Sequence, residues 1–131
     1  MQLRQSKVAG EALARINAVA KSADIVHEYK SRASNFPAMV LQSGLAQAVG
    51  FLQAKSGGAG LLGQAYRRYL EDLAGVMHAG DGALPDRAQA LCDQIMGAGL
   101  ADYRRMSYLA IDAASWLKRM AQAHLRNGDR P

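Results

Sequence analysis

The sequence contains one glycine motif of the kind that can hold a phosphate. Residues 58–63, Gly-Ala-Gly-Leu-Leu-Gly, match G-x-G-x-x-G. This motif binds dinucleotides only where it follows a strand and opens a helix within a βαβ unit. The residues before it have a helical period, and no second strand is available. We therefore interpret residues 58–63 as a linker followed by the start of a helix.

Three histidines and one cysteine are the next residues that could carry chemistry. His27, His78 and His124 lie far apart in the chain, which does not predict a metal site. His27 and His124 fall on the apolar side of their helices, so we expect both at the edge of the core. Cys92 has no basic neighbour immediately beside it to lower its pKa, which predicts an inert, semi-buried thiol rather than a nucleophile.

The carboxylates near the second glycine-containing loop are Asp81, Asp86 and Asp93. Their spacing matches neither a calcium-binding loop nor a recognisable acid–base pair. The residue types therefore predict no catalytic residue, no metal site and no cofactor. A small enzyme is the least supported class.

Length and composition place these residues in one domain. The chain has 131 residues, a net charge of +5 and one cysteine, so an internal disulfide is excluded. No apolar run approaches the roughly 20 residues that span a bilayer, and the first residues lack the apolar core of a signal peptide. We expect a soluble, cytoplasmic protein without a membrane partner.

The positive charge is concentrated at the two ends of the sequence. Residues 1–35 and 101–131 each carry +3, residues 36–60 carry +1, and residues 61–100 carry −2. Three interpretations remain open: an ordinary solvated surface, a surface that contacts phosphates, and head-to-tail stacking of basic and acidic faces. Tyr108 alone among the tyrosines is expected to project from a basic stripe.

The hydrophobic periodicity predicts an all-α, compact single-domain bundle of five to six helices. Residues 1–126 are expected to form the domain, and residues 127–131 a frayed tail. The helices are expected at residues 3–30, 37–55, 61–78, 86–96 and 102–125.

The second of these segments has no charge between Pro37 and Lys55, which favours a helix buried in the middle of the bundle. Pro37 fits its first position, and close approach of a neighbouring helix would explain Gly44 and Gly50. The expected core includes Leu41, Leu45, Leu109, Trp116 and Leu117.

Three stretches together resemble a known family. They are Tyr29-Lys30 followed by Phe36-Pro37-Ala38-Met39-Val40, then Ser43-Gly44-Leu45 running to Phe51-Leu52, and Tyr103-Arg104 with Trp116-Leu117-Lys118-Arg119-Met120-Ala121. Their order and spacing are similar to those in the small subunit of the Cmr (type III-B) CRISPR RNA-targeting complex. Ser43 stands where the family usually has asparagine.

The resemblance implies a non-catalytic subunit that stacks in several copies beside the backbone subunits and helps to hold guide and target RNA. Its expected partners are other subunits of the effector complex, copies of itself, and both RNAs. On this hypothesis we expect eight side chains to contact the RNA backbone: Arg15, Lys21, Lys30, Arg32, Arg104, Arg105, Lys118 and Arg119. Tyr108 and Ile111, the latter apolar on an outer face, are expected subunit contacts. The alternative is a helical adaptor or oligomerisation module that binds only protein.

Overall fold

The computed structural model describes residues 4–79 and 87–126, and six α-helices and one short 3-10 helix account for nearly all of them. This confirms the all-α bundle. The predicted tail at residues 127–131 lies outside the described residues. The helices are α1 (Arg4–Ala20), the 3-10 helix (Ala23–Ile25), α2 (Val26–Ser43), α3 (Leu45–Ser56), α4 (Gly60–Met77), α5 (Arg87–Gly97) and α6 (Leu100–His124).

The centre of the bundle is α4, which packs against each of the other five α-helices. From Tyr69 to Met77 every residue except Glu71 is buried. The sequence led us to expect the uncharged segment 37–55 at the centre, and that expectation is wrong. In α3, Gln47, Gly50 and Gln53 face solvent. The absence of charge did not identify the central helix, because α4 carries four charged residues and buries only Asp72, which has hydrogen-bond partners on α1 and α2.

The last helix, α6, lies against α1 and α2. Its contacts show that α2 and α6 are antiparallel. Near the start of α2, the Lys30 ammonium donates to the Leu125 carbonyl at 3.1 Å. Beyond the end of α2, the Ala46 amide donates to the Tyr103 hydroxyl oxygen at 2.9 Å, which satisfies one of the unpaired donors in the first turn of α3.

The helix boundaries differ from the prediction at two places. The chain turns at Lys21 and Ser22, whereas we expected one helix over residues 3–30. It then continues through Pro37, where we expected a break, because Pro37 lies inside α2. The proline removes one backbone donor, but Phe36 and Val40 on either side of it are buried, and this burial keeps the helix intact.

The actual break between α2 and α3 is at Gly44. This residue has φ +85° and ψ 160°, a combination that is accessible almost only to glycine. Its amide still donates to the Val40 carbonyl at 2.9 Å, so α2 ends and α3 begins at one residue. Gly44 is therefore required for its backbone conformation. Gly50 has no neighbour within 4 Å of where a Cβ would be, so the predicted close approach is wrong there.

Two glycine-to-alanine variants should therefore change stability in opposite directions. Gly44→Ala forces a side chain into a disfavoured conformation, and we expect it to lower the free energy of unfolding by about 1–3 kcal/mol. Gly50→Ala replaces an exposed glycine within a helix, and we expect a gain of about 0.5–1 kcal/mol. Thermal denaturation of both variants measures the contrast. Equal effects would contradict the break at Gly44.

The predicted core is partly confirmed. Leu45 and Leu117 are fully buried, whereas Leu109 and Trp116 are half-buried against the core. Leu41 is 71% exposed, so its assignment to the core is wrong. The break at Gly44 is the reason, because Leu41 and Leu45 no longer share one helical face.

Candidate nucleic-acid interface

The outer side of α6 carries three of the four exposed basic residues of the predicted set. Ala110, Ala113 and Leu117 hold the opposite side of the helix in the core. Since residues three and four apart lie on one helical face, Arg104 and Arg105 are neighbours of Tyr108, and Arg119 lies about three turns further along the same outer side. We call it the α6 face; its members are Arg104, Arg105, Tyr108 and Arg119, all exposed, with half-buried Lys118 at its edge.

The charges on the α6 face are largely uncompensated. Arg104 and Lys118 make no hydrogen bond or ion pair with any residue that the structure describes. Arg105 approaches Asp102 at 3.9 Å, but both side chains are about 70% exposed, so water screens this contact. The Arg119 guanidinium lies 5.2 Å from the centre of the Trp116 ring, which orients it without neutralising it.

One acidic residue on the same helix, Asp112, is held at the border with α1. The Gln5 amide nitrogen donates to its carboxylate at 2.9 Å, and the Trp116 ring nitrogen donates to the Gln5 amide oxygen at 2.8 Å. These two bonds fasten the beginning of α1 to the middle of α6. The hydrogen bond from Gln5 leaves the charge of Asp112 in place, and Asp112 lies four residues after Tyr108, so it places one negative charge between Tyr108 and Arg119.

The four basic residues predicted from the first part of the chain do not form a second shared surface. Lys21 is exposed. Lys30 donates to the Leu125 carbonyl, as described above. Arg32 donates to the Tyr66 hydroxyl at 2.9 Å and stacks over that ring at 5.1 Å from its centre. Lys30 and Arg32 are thus engaged within the protein.

Arg15 is the most strongly engaged of the four. Its guanidinium donates to the Glu11 carboxylate at 2.8 Å and to Asp72 at 3.2 Å. It also lies so close over Gly75 that any side chain there would collide with it. The structure therefore gives Arg15 a role in joining α1 to α4.

The partner of Arg15, Asp72, is the centre of a buried polar group that we call the Asp72 cluster: Asp72, Arg15, Arg68 and Tyr29. The Asp72 carboxylate is fully buried and accepts from the Tyr29 hydroxyl at 2.6 Å. It also accepts from the Arg68 Nε at 3.3–3.4 Å. The cluster joins α1, α2 and α4 at one carboxylate.

Burial has the largest influence on the Asp72 carboxyl and raises its pKa, while Tyr29, Arg68 and Arg15 act in the opposite direction. Burial also raises the pKa of the Tyr29 hydroxyl, so this group keeps its proton and donates. The neighbouring hydroxyl of Tyr69 is buried without a hydrogen-bond partner among the described residues. Of the three partners of Asp72, only Arg68 lies on the same helix, four residues away; Tyr29 and Arg15 come from other helices and are not evident from the sequence.

The two predicted subunit contacts differ in exposure. Tyr108 is 71% exposed and projects from the α6 face, as expected. Ile111 is half-buried and packs against the core, so it is not the outward-facing apolar side chain that we expected. Tyr108 is thus the more accessible of the two.

The remaining sequence motifs have structural explanations. His27 and His124 are exposed, which corrects their predicted place at the core edge. Among the described residues, no group of three His, Cys, Asp or Glu side chains could hold a metal ion. Residues 58–63 follow helix α3 and open α4, and a side chain on Gly63 would collide with the Gly58 carbonyl. The motif therefore fits the observed close turn between two helices.

No helix in the described ranges 4–79 and 87–126 is both long and apolar enough to cross a membrane.

Comparison with known proteins agrees with the fold and identifies a family. Residues 4–124 match the sequence model of the family described as CRISPR-associated protein (Cas_Cmr5). The chain belongs to the Cmr5 family. It is 31% identical over 96 residues to the Cmr subunit Cmr5 of the CRISPR system of Thermus thermophilus, covering 73% of this chain and 74% of that relative.

A solved structure of a Cmr5 family protein has the same fold. The crystal structure of a CRISPR-associated Cmr5 family protein from Thermus thermophilus superposes with a TM-score of 0.80 at 30% identity. The match covers 96% of this chain and all of that one. As a Cmr5 family member, the protein is a subunit of a CRISPR Cmr complex, and other subunits of that complex are its partners.

Proposed function

We propose that this Cmr5 family member is a non-catalytic, cytoplasmic subunit that stacks in several copies within the complex and contacts the backbone of guide and target RNA. The observation that carries the proposal is the α6 face. Its exposed guanidinium groups, Arg104, Arg105 and Arg119, have no buried carboxylate partner among the described residues. Phosphate oxygens are the acceptors that suit such planar, charged donors.

The chemistry of the α6 face favours contact with phosphates over recognition of bases. In an RNA-guided system, base pairing between guide and target selects the sequence, so a protein subunit needs only to recognise backbone and shape. Tyr29, Tyr66 and Tyr69 are buried and unavailable for stacking on bases. Tyr108 is the one tyrosine largely exposed in the described part of the chain.

Of the basic residues predicted to contact RNA, the proposal retains Arg104, Arg105, Lys118 and Arg119 on α6, together with Lys21. Arg15, Lys30 and Arg32 contribute to the positive potential, but their hydrogen bonds to the protein would have to be exchanged for bonds to RNA. We therefore assign them a secondary role.

A second function is favoured by the exposed apolar side chains. Leu41 and Tyr108 are each 71% exposed on neighbouring helices. Contiguous exposed apolar patches are typical of protein–protein contacts. A helical adaptor that binds only protein would use these side chains, and its basic surface would be incidental.

Salt-dependent RNA binding separates the two functions. We expect wild-type protein to bind single-stranded RNA with an affinity that falls as salt rises, since each phosphate contact contributes about −0.7 to the slope of log affinity against log salt. The double variant Arg104→Gln/Arg119→Gln should reduce the steepness by about 1.4. Fluorescence anisotropy with a labelled oligonucleotide, beginning at low salt, measures both quantities.

The matched control is Lys55→Gln, which removes an exposed positive charge from α3. We expect it to change the slope much less than either arginine substitution. Melting curves of all variants establish that they are folded. An affinity independent of salt would contradict contact with phosphates and favour the protein-only adaptor.

A further inference from the structure

A second basic site lies at the end of the bundle where α1 leads into the 3-10 helix. It is a cleft of about 580 Å³ between the segment Lys21–Ile25 and the first half of α4. Its polar lining consists of Lys21, Ser22, Asp24, Gln64 and Arg68, and it includes no residue of α6. The cleft is therefore separate from the α6 face.

Arg68 is the group that distinguishes this cleft from ordinary surface. Its side chain is 33% exposed, and its Nε is fixed by the fully buried carboxylate of Asp72. Within the described residues, Arg68 makes hydrogen bonds only through Nε. The four N–H bonds of its terminal nitrogens remain available, and they are not among the buried unpaired groups.

The Asp72 cluster thus orients the Arg68 guanidinium through the buried carboxylate. Tyr29 and Arg15 hold the carboxylate from two other helices, so the acceptor that orients the Arg68 guanidinium is itself fixed. A donor group that is already oriented loses less conformational entropy when it binds an anion. Lys21 adds a second positive charge to the cleft, and Ser22 and Gln64 add neutral donors.

We propose that this cleft binds one phosphate group of an RNA backbone, with Arg68 as the oriented donor and Lys21 as the second cation. The inference rests on the proposed RNA contact and extends it to a site away from α6. Asp24 also lines the cleft, and its carboxylate opposes an anion there. Removing the charge of Asp24 should therefore strengthen RNA binding, whereas removing the charge of Lys21 should weaken it.

The test measures binding of a labelled single-stranded RNA oligonucleotide to the full chain by anisotropy at several salt concentrations. Lys21→Gln should weaken binding about fivefold near 0.1 M salt, the loss of one phosphate contact. Asp24→Asn should tighten it by a similar factor. Neither residue belongs to the Asp72 cluster, and both are exposed, so we expect both variants to fold.

Two controls repeat the same charge changes elsewhere. Lys55→Gln on α3 and Asp93→Asn on α5 alter net charge by the same amounts at exposed positions outside the cleft. Arg68→Lys keeps the charge but removes the planar fork, and we expect it to weaken binding as much as Lys21→Gln. Melting curves verify that this variant is folded.

The outcomes separate the cleft from the wider function. If Arg104→Gln/Arg119→Gln weakens RNA binding while Lys21→Gln and Asp24→Asn do not change it, the cleft proposal is overturned together with the contact at Lys21, and the RNA-contacting role of the α6 face stands. The cleft proposal also fails if Asp93→Asn tightens binding as much as Asp24→Asn, since net charge alone then explains the gain. Absence of any salt-dependent RNA binding overturns both.

Discussion

Replacing Asp72 by alanine should lower the free energy of unfolding by about 3–5 kcal/mol, the range measured when one partner of a buried ion pair is removed. The carboxylate is fully buried and accepts hydrogen bonds from Tyr29, Arg15 and Arg68. Its loss leaves the Tyr29 hydroxyl unpaired in the core and two guanidinium groups without their shared partner. Chemical denaturation measures this change in the free energy of unfolding. The slope of that free energy against denaturant concentration should be the same for both proteins, which verifies two-state behaviour.

The matched control for this variant is Asp93→Ala. Asp93 is exposed on α5, and among the described residues its one hydrogen bond comes from the Gln89 side chain, so we expect a change within about 0.5 kcal/mol. Asp72→Asn keeps an oxygen acceptor for Tyr29 and should cost less than alanine. A value for Asp72→Ala near that of Asp93→Ala would show that the cluster does not tie the helices together.

The second large effect concerns two leucines four residues apart. Leu45→Ala removes a fully buried side chain at the start of α3, and we expect a loss of about 2–5 kcal/mol. Leu41→Ala removes a side chain that is 71% exposed on α2, and we expect a change within about 0.5 kcal/mol. The same denaturation experiment measures both.

This pair tests the position of the helix break. In one uninterrupted helix, Leu41 and Leu45 would share a face and their losses would be similar. With the break at Gly44 they face different surroundings. Similar losses for the two variants would contradict the observed geometry, whatever their absolute size.

The fold class follows from hydrophobic periodicity, because apolar residues at intervals of three and four recur through most of the chain. The breaks between helices are harder to predict. Pro37 is a strong local signal for a helix start, yet the burial of Phe36 and Val40 overrides it. The helix actually breaks at Gly44. A single glycine in an apolar segment gives no indication in the sequence of the backbone angles that it adopts.

The exposed basic residues of α6 could be predicted from the sequence, because the periodicity of one long helix indicates which of its residues face outward. The residues on α1 and α2 were harder to assign, because their partners are distant in the sequence. Arg15 bonds Asp72 across 57 positions, Arg32 bonds Tyr66 across 34, and Lys30 bonds Leu125 across 95. Periodicity describes one helix at a time, so it cannot show which charges are already paired with another helix.

The hydrogen bond between Trp116 and Gln5 joins residues 111 positions apart. During synthesis, α1 emerges from the ribosome long before the middle of α6 exists. The contact between these two helices therefore cannot form until residue 116 has been synthesised, while α3 and α4 can pair early because they are adjacent in sequence. Folding of this domain thus has an intrinsic order, in which closure of the first helix onto the last is a late step.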